Sequence, residues 1–341
     1  MLDEATPPPD GPVRMRDVAR AAGVSAMTVS RALKDPGRVS PKVRQRVEAA
    51  VRAVGYVPNR LAGSLSSSRS SVIGLVVPSI ANALYASTIQ GISDVLRQHD
   101  HRLMIADSGY GAEAEEAAIR AFLGQRVAGL ILHDTTHTPE AVAMIRRAGI
   151  PVVENGTLPP RPLDMVVSYS NHAAARAMTQ HLLRLGYRRI GLVTLPLAGN
   201  ERSRARREGH RAALEEAGIA LDPRLLLEMP PGLAVGAEAL LRLLEGGGEP
   251  DAIFFAGDVL AIGALLECQR RGWPVPGRVA IAAFDPIELL GHLVPPVTTL
   301  RLPREEIGRR SAEVLLDRLA GRSSGPVSVE LRCEIIHRAS T

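Results

Sequence analysis

The chain has 341 residues, of which 45% are hydrophobic and 23% charged, a balance typical of globular proteins with a full core. This length exceeds what one core usually organises, so we expect two or three domains. Its two cysteines, Cys268 and Cys333, are too few for a disulfide framework or a thiolate metal cluster. No secretory signal is evident, and no stretch approaches the roughly 20 apolar residues that cross a bilayer. We therefore expect a cytoplasmic protein without a membrane partner.

Basic residues are concentrated near the amino terminus. Residues 13–60 carry eleven Lys and Arg against three acidic side chains, a net charge of +8, although the whole chain carries only +5. The rest of the chain is therefore slightly acidic. Such a basic head predicts contact with a polyanion such as nucleic acid, and a merely solvated basic face is the alternative.

Three short helices are predicted in this basic segment, after a proline-rich arm at 1–12 that we expect to be disordered. The helices Arg16–Ala22 and Ala26–Leu33 are separated by a glycine turn, and a third helix begins with Ser40 as its N-cap. Their apolar sides can share one small core. The sequence therefore predicts an all-α headpiece at 13–58.

The first two helices and their glycine turn have helix-turn-helix spacing, in which the second helix enters the major groove of DNA. Ser25, Thr28 and Ser30 supply hydroxyl groups for phosphates. Arg31 can pair with a guanine edge, and Met27 can contact a thymine methyl group. A purely structural helical hairpin is the alternative, which the clustered charge disfavours. The predicted DNA contacts are Arg16, Ser25, Ala26, Met27, Thr28, Ser30, Arg31, Arg38, Asn59 and Leu65.

Residues 59–71 are predicted to form a hinge or linker. Gly63 and the serines at 66–68 make any helix in this segment marginal on its own. We expect the segment to become ordered when a partner holds it. Packing of Leu65 on the body is the alternative to a DNA contact.

From Val72 onward, apolar β-branched runs alternate with helical stretches, which predicts parallel sheets with helices on both faces. About nine strands are expected, enough for two lobes with a cleft between them. We expect lobe 1 at 72–168 and 296–323, and lobe 2 at 169–295 and 324–340. The predicted strands are Val72–Val77, Arg102–Ala106, Gly129–Leu132, Val152–Glu154, Met165–Ser168, Ile190–Thr194, Leu225–Glu228, Ala252–Ala256 and Val279–Phe284.

Polar side chains near the ends of these strands predict an effector site in the cleft. An arginine offers a rigid fork for a carboxylate, and an aspartate accepts hydrogen bonds from sugar hydroxyls. A solvated helix face for the arginines and a capping or loop role for the aspartates are the alternatives. The candidate effector contacts are Asn82, His133, Glu154, Arg202, Arg206, Asp258 and Asp285.

The headpiece motifs resemble those of the LacI-type family of transcription regulators, the lactose and galactose repressors. The resemblance rests on the run Asp17–Arg31, on Val39-Ser40 and on Gly55–Asn59, and it extends to Pro295–Leu300. It implies a homodimer on a palindromic operator, a two-lobe body like a periplasmic sugar-binding protein, and a small effector between the lobes. It also implies a hinge helix whose leucine, here Leu65, enters the minor groove.

The resemblance also bears on the effector. It places Arg206 and Asp285 where the family usually holds its ligand, but Gly257 replaces a usual asparagine and Pro286 a common aspartate. Three stretches near His133, Glu154 and Cys268 are similar to the gluconate-repressor branch. This similarity implies a sugar acid as the effector, with a neutral sugar as the alternative. These stretches are Leu132–Pro139, Ile150–Glu154 and Leu266–Gly272.

No catalytic motif is evident, because the sequence lacks a Walker A loop, a G-x-S-x-G elbow and a G-x-G-x-x-G turn after its first strand. His133 and His137 are four residues apart but have no evident third ligand, so no metal or cofactor is expected. We expect a repressor of carbohydrate or sugar-acid catabolic genes, with an enzyme or a sugar receptor on the same body as the rivals. The operator, the sign of the effector's action and a dimer or larger assembly are left open.

Overall fold

The chain divides into two compact units, Met1–Ser70 and Ser71–Thr341. The predicted arm at 1–12 and all of the predicted hinge at 59–71 except its last two residues lie outside the part that the structure describes. The structure is a computed structural model, and it describes residues 13–57, 70–109, 111–285 and 287–341.

Three α-helices joined by short turns make up the described part of the first unit. One valine from each helix, Val18, Val29 and Val47, is fully buried where the helices meet. This small shared core agrees with the predicted all-α headpiece. The helices are α1 (Met15–Ala22), α2 (Ala26–Lys34) and α3 (Pro41–Val54), and a 3-10 turn at Pro36–Arg38 precedes the third.

Within the described residues, the second unit contains two six-stranded sheets. The strands are β1 (Val72–Val77), β2 (Arg102–Asp107), β3 (Gly129–Leu132), β4 (Val152–Glu154), β5 (Met165–Ser168), β6 (Ile190–Thr194), β7 (Leu226–Glu228), β8 (Ala252–Phe255), β9 (Ala280–Phe284), β10 (Thr298–Arg301), β11 (Val327–Glu330) and β12 (Glu334–Ile336). The first sheet has the order β11-β5-β4-β3-β1-β2 and is parallel throughout. The second has the order β12-β10-β9-β8-β6-β7 and is parallel except between β10 and β12.

Helices flank the sheets, as the alternation of the sequence predicts. The central strands are buried along their whole length because their valines, isoleucines and leucines are covered from both sides. The helices of this unit are α4 (Ala86–Gln98), α5 (Ala112–Gly124), α6 (Pro139–Ala148), α7 (Asn171–Arg184), α8 (Glu201–Glu216), α9 (Leu233–Glu245), α10 (Asp258–Arg271), α11 (Leu289–His292) and α12 (Arg304–Leu319).

Each sheet with its helices forms one lobe, and the expected lobe limits are wrong in two places. The strand β10, expected in lobe 1, pairs with β9 in the sheet of lobe 2, where Thr298 and Thr299 are buried. The strand β11, expected in lobe 2, pairs with β5 in lobe 1. The helix between them, α12, packs on α4 of lobe 1. The chain therefore changes lobe after β10 and again after β11.

Several pairs of helices approach so closely that the contact requires a glycine, among them α8 with α7 and α12 with α4. A Cβ added to Gly209 in α8 would lie 2.1 Å from the carbonyl oxygen of His172 in α7. A Cβ added to Gly308 in α12 would lie 2.1 Å from the carbonyl oxygen of Thr88 in α4. Because backbone atoms cannot move aside without displacing a helix, these contacts fix α8 and α12 on their lobes.

We expect Gly308→Ala to destabilise the protein by about 1–3 kcal/mol, because the added methyl group overlaps the backbone of α4. Urea unfolding followed by circular dichroism measures the effect. The matched control is Gly124→Ala at the end of α5, where no atom lies within 4 Å of the added Cβ. There alanine is expected to be neutral or to stabilise by about 1 kcal/mol at most. Equal effects of the two substitutions would contradict the tight contact.

Candidate DNA interface and effector cavity

The turn between α1 and α2 is built by a left-handed glycine and a serine cap. Gly23 ends α1 with φ of 60°. Ser25 caps α2, because its Oγ accepts a hydrogen bond from the backbone N–H of Thr28 at 3.1 Å. The hydroxyl groups of Ser25 and Thr28 also lie 2.9 Å apart, so both take part in the cap. This serine cap shapes the start of α2.

The predicted DNA contacts lie mostly on the exposed side of α2 and in the turns beside it. Met27 is 64% exposed, whereas Val29 and Ala32 on the opposite side of the helix are buried. The predicted positions Asn59 and Leu65 lie outside the described residues. The exposed predicted contacts are Arg16, Ser25, Ala26, Met27, Arg31 and Arg38, and the half-buried ones are Thr28 and Ser30.

One arginine that the sequence interpretation missed holds the turn in place. The guanidinium of Arg46 on α3 donates to the carbonyl oxygen of Ala22 at 2.8 Å and to that of Gly23 at 3.1 Å. These carbonyls end α1, where a cation interacts favourably with the helix dipole. Arg46 therefore joins α3 to the end of α1 rather than adding only to the basic charge.

In the second unit, a cavity of about 390 Å³ lies where strand ends of both lobes meet. Six of the seven predicted effector residues line it, and Glu154 does not. Arg304, which the sequence interpretation missed, is part of the lining. The six are Asn82, His133, Arg202, Arg206, Asp258 and Asp285.

Arg206 is held against the base of the cavity by neutral groups. Its guanidinium carbon lies 3.7 Å from the centre of the Phe284 ring. Its Nε donates to Oδ1 of Asn171 at 2.9 Å, and its Nη1 donates to the carbonyl oxygen of Ala256 at 2.8 Å. In the described part of the chain, none of the ion pairs involves Arg206. Arg206 is half-buried, and its charge has no salt-bridge partner there, although the nearby Asp285 acts on it electrostatically.

Asp285 is bound by Arg304, a residue of the other lobe. Nε of Arg304 donates to Oδ1 of Asp285 at 2.8 Å, and Nη2 donates to Oδ2, so the fork engages both carboxylate oxygens. Burial opposes the charge of Arg304, but Asp285 outweighs burial and raises the pKa of Arg304. The aspartate predicted as an acceptor for sugar hydroxyls is thus already engaged in an ion pair.

Two further acidic side chains face the cavity. Asp258 begins α10, and burial raises the pKa of its carboxyl group. Burial also raises the pKa of Asp134 to about 6, with Glu201 adding to the shift and Arg202, 3.9 Å away, opposing it. Both carboxyl groups are therefore easier to protonate than ordinary aspartates, which lowers the negative charge of the lining.

The same edge of the cavity carries hydrogen bonds between the lobes. Glu201, the first residue of α8, accepts hydrogen bonds from Oγ1 of Thr135 at 2.6 Å and of Thr136 at 3.1 Å. Nearby, burial and the guanidinium groups of Arg202 and Arg304 hold the pKa of His133 well below its ordinary value. His133 is therefore neutral at physiological pH and offers both a donor and an acceptor.

Glu154 is buried inside lobe 1 instead of lining the cavity. Its Oε1 lies 3.3 Å from Nε2 of His137, and its Oε2 accepts from the backbone N–H of Leu163 at 2.5 Å. The other ring nitrogen of His137 lies 2.7 Å from Oε2 of Glu115. Burial disfavours a charged imidazole, but the two carboxylates outweigh it and raise the pKa of His137 to about 9. The end of a strand was the right place for a polar residue, but its partner lies within the lobe.

We expect His137→Gln to destabilise the protein by about 3 kcal/mol near neutral pH, because it leaves two buried carboxylates without a cation. The pKa of His137 is about 9 in the folded protein, above the ordinary 6.5. Its stabilisation is therefore complete below about pH 6.5 and is lost as the pH rises through about 9.

Urea unfolding of both proteins between about pH 6 and pH 10 checks this, and the advantage of the parent over the variant should shrink as the pH rises. The exposed His292 provides a control, since His292→Gln should leave both stability and its pH dependence unchanged. An advantage that grows with pH would contradict a charged His137.

Two kinds of feature are absent from the described residues. No group of three or more His, Cys, Asp or Glu side chains is arranged there to hold a metal ion. None of the helices described is both long and apolar enough to cross a bilayer.

Comparison with known families assigns both ends of the chain. Residues 14–59 match the bacterial regulatory proteins of the lacI family. Residues 179–341 match the periplasmic binding protein-like domain. The first match contains the three headpiece helices, and the second contains most of lobe 2 together with α12.

Full-length relatives extend the likeness to nearly the whole chain. The chain is 36% identical over 317 residues to the HTH-type transcriptional regulator GntR of Escherichia coli strain K12, covering 93% of this chain and 95% of that protein. It is 37% identical over 329 residues to GntR of Pseudomonas aeruginosa, covering 96% and 95%.

Solved structures show the same architecture. A LacI-family regulator from Silicibacter pomeroyi matches with a TM-score of 0.87 and 34% identity, covering 96% of this chain and 99% of that one. The lac repressor dimer bound to operator and the anti-inducer ONPF matches with a TM-score of 0.85 and 27% identity, covering 97% and 99%.

Proposed function

The chain belongs to the LacI family of bacterial regulatory proteins, and we propose that it represses sugar-acid catabolic genes under the control of an aldonate such as gluconate. It is a DNA-binding transcription regulator, like its relatives, and not an enzyme. Because its partner is operator DNA, we place it in the cytoplasm, associated with the nucleoid when it is bound.

The half-buried guanidinium of Arg206, which has no salt-bridge partner among the described residues, carries the proposal of an acidic effector. A buried cation without an anionic partner is costly, and a ligand carboxylate offsets that cost. The stacking on Phe284 fixes the plane of the guanidinium, and the bonds to Asn171 and Ala256 fix its rotation. Nη2 takes part in neither of these hydrogen bonds and provides donors for a carboxylate.

The rest of the lining suits the hydroxyl groups of an aldonate. Asp258 provides acceptors, and the neutral ring of His133 provides one donor and one acceptor. A volume of about 390 Å³ is within the range of small-ligand sites and accommodates a six-carbon acid. The two GntR relatives support the same ligand class. Asn82 and Arg202 complete the contacts that we propose, whereas Asp285 is engaged by Arg304.

For DNA, we propose that α2 reads the major groove. Arg31 pairs with a guanine edge, Met27 contacts a thymine methyl group, and Thr28 and Ser30 contact phosphates. The exposure of this side of α2 supports these roles. We retain Leu65 as a minor-groove wedge on the resemblance to the family alone. Flanking phosphate contacts complete the proposed interface and are made by Arg16, Ser25, Ala26, Arg38 and Asn59.

We also propose that the protein acts as a homodimer. Met104 and Ile105 on the edge strand β2 are each 38% exposed, and Leu266 and Leu289 of lobe 2 are more than 40% exposed. Exposed apolar side chains of this size on a sheet edge mark an interaction surface. The likeness to the lac repressor dimer supports a second copy as the occupant.

We expect Arg31→Ala to weaken binding to the operator by about 10- to 100-fold, since a bidentate arginine–guanine pair contributes about 1–3 kcal/mol of discrimination. The operator is first selected from random duplexes with the parent protein, and affinities are then measured by fluorescence anisotropy. Binding to unrelated DNA should change far less. Arg97→Ala, an exposed arginine of the body, is the control and should match the parent. Equal losses on operator and unrelated DNA would contradict base reading by Arg31.

We expect gluconate to raise the melting temperature of the parent protein, because binding to the folded state stabilises it by about 2.7 kcal/mol at a hundred times Kd. Arg206→Met should abolish the shift. Arg207→Met is the matched control on the solvent side of the same helix and should retain it. Differential scanning fluorimetry with gluconate, glucitol and glucose makes the measurement. A shift with the neutral compounds alone would leave the proposed repressor function standing, but it would show that the effector is a neutral sugar rather than an acid.

A further inference from the structure

The ion pair between Asp285 and Arg304 determines the charge that the cavity presents to a ligand. We propose that Arg304 is the residue that makes the cavity select an acid over the corresponding neutral polyol, with Asp285 as its positioning residue. The inference rests on the proposed function, because it explains how one site distinguishes gluconate from an uncharged compound of the same length.

Asp285 is poorly placed to act as the acceptor for sugar hydroxyls that the sequence predicts. It follows β9 directly, its backbone has a φ of 78°, and the residue is only 3% exposed. Non-glycine residues rarely adopt such a left-handed conformation, so the surrounding structure must hold it there. Both carboxylate oxygens are engaged by Arg304. A neutral sugar would therefore have to compete with a charge-assisted fork for this aspartate.

Arg304 is itself in an unusual position. It is the first residue of α12, where the helix dipole disfavours a positive charge, and its side chain is only 14% exposed. Asp285 provides the compensating negative charge from the other lobe. The ion pair uses Nε and Nη2 of Arg304 and does not involve Nη1. Arg304 lines the cavity together with Arg206. A ligand carboxylate can thus lie between two guanidinium groups.

The net charge of the cavity lining depends on Arg304, and this charge determines whether an acid or a polyol is favoured. The charged residues of the lining are three arginines and three aspartates. Asp134, with its pKa near 6, is partly protonated near neutral pH, so the lining is close to neutral or slightly positive. Without Arg304 the lining gains one net negative charge, and Asp285 becomes an unpaired acceptor at the cavity wall. An acid would then be repelled, and a polyol would gain a partner.

The test compares gluconate with glucitol, which has a hydroxymethyl group in place of the carboxylate. Isothermal titration calorimetry on the full chain measures both affinities for the parent and for Arg304→Met. We expect the parent to prefer gluconate and the variant to lose about 10- to 100-fold of that preference, the range for a hydrogen bond to a charged group. Arg304→Lys should keep the preference but weaken it, because lysine keeps the charge without the fork.

Arg310→Met on the same helix is the control, since Arg310 pairs with Glu313 and lies outside the cavity lining. It should keep the parent preference. If Arg304→Met does not fold, the double variant Arg304→Met/Asp285→Asn removes the unpaired carboxylate as well. Its gluconate-to-glucitol ratio should also fall by about 10-fold or more.

The outcomes separate the two proposals. A parent protein that prefers gluconate, with an unchanged ratio in Arg304→Met or in the double variant, overturns the role of Arg304 and leaves the proposed function standing. A parent protein that binds glucitol better than gluconate overturns the acidic effector and this inference together. A loss of preference in Arg310→Met as large as that in Arg304→Met also overturns the inference, because the effect would then belong to α12 as a whole.

Discussion

The burial of arginine side chains where the two lobes meet is the constraint on which the cavity depends. A guanidinium group keeps its charge at neutral pH, so each buried one needs acceptors or an anionic partner. Arg304 obtains its partner from Asp285, whereas Arg206 obtains an aromatic face and two neutral acceptors. Because Arg206 has no salt-bridge partner among the described residues, the cavity retains a guanidinium group that can take an anion.

The helices that carry these arginines and their partners are held in position by helix packing rather than by contacts within the cavity. Arg206 lies on α8 and its acceptor Asn171 begins α7, and the close contact at Gly209 sets the distance between these helices. Arg304 begins α12, which the contact at Gly308 fixes on α4. Errors in packing far from the ligand would therefore displace both guanidinium groups. The donors are preorganised, which lowers the entropic cost of binding.

The sequence predicts the parts of this fold that have a strong local pattern. The strands β1–β9 are mostly continuous apolar runs, and each was placed to within about a residue, the error that boundary definitions alone produce. The strands β10–β12 were missed because they are not continuous apolar runs, and Val327–Glu330, for example, alternates apolar with polar residues. Strand ends located the cavity, since six predicted residues line it. The position at a strand end indicates where a polar side chain lies, but not what it contacts. For this reason Glu154 was wrongly assigned to the cavity, whereas its side chain binds His137 within the lobe.

Arg304 was missed for a related reason, because it follows β10, a strand that the sequence pattern did not predict. The available signal was an arginine at the first position of a helix, where the dipole favours acidic residues. Its partner Asp285 could not be read from the sequence, since the pairing joins elements of different lobes.

That pairing also shows how the site can respond to a ligand. A ligand shifts a conformational equilibrium only by its difference in affinity for the two states. His133 belongs to lobe 1, and Arg206 and Asp258 belong to lobe 2, so a ligand gains all its contacts only when the lobes are arranged as they are here. The hydrogen bonds from Thr135 and Thr136 to Glu201 stabilise the same arrangement without a ligand. Ligand and protein contacts therefore favour one state together, which is the condition for coupling between effector binding and lobe movement.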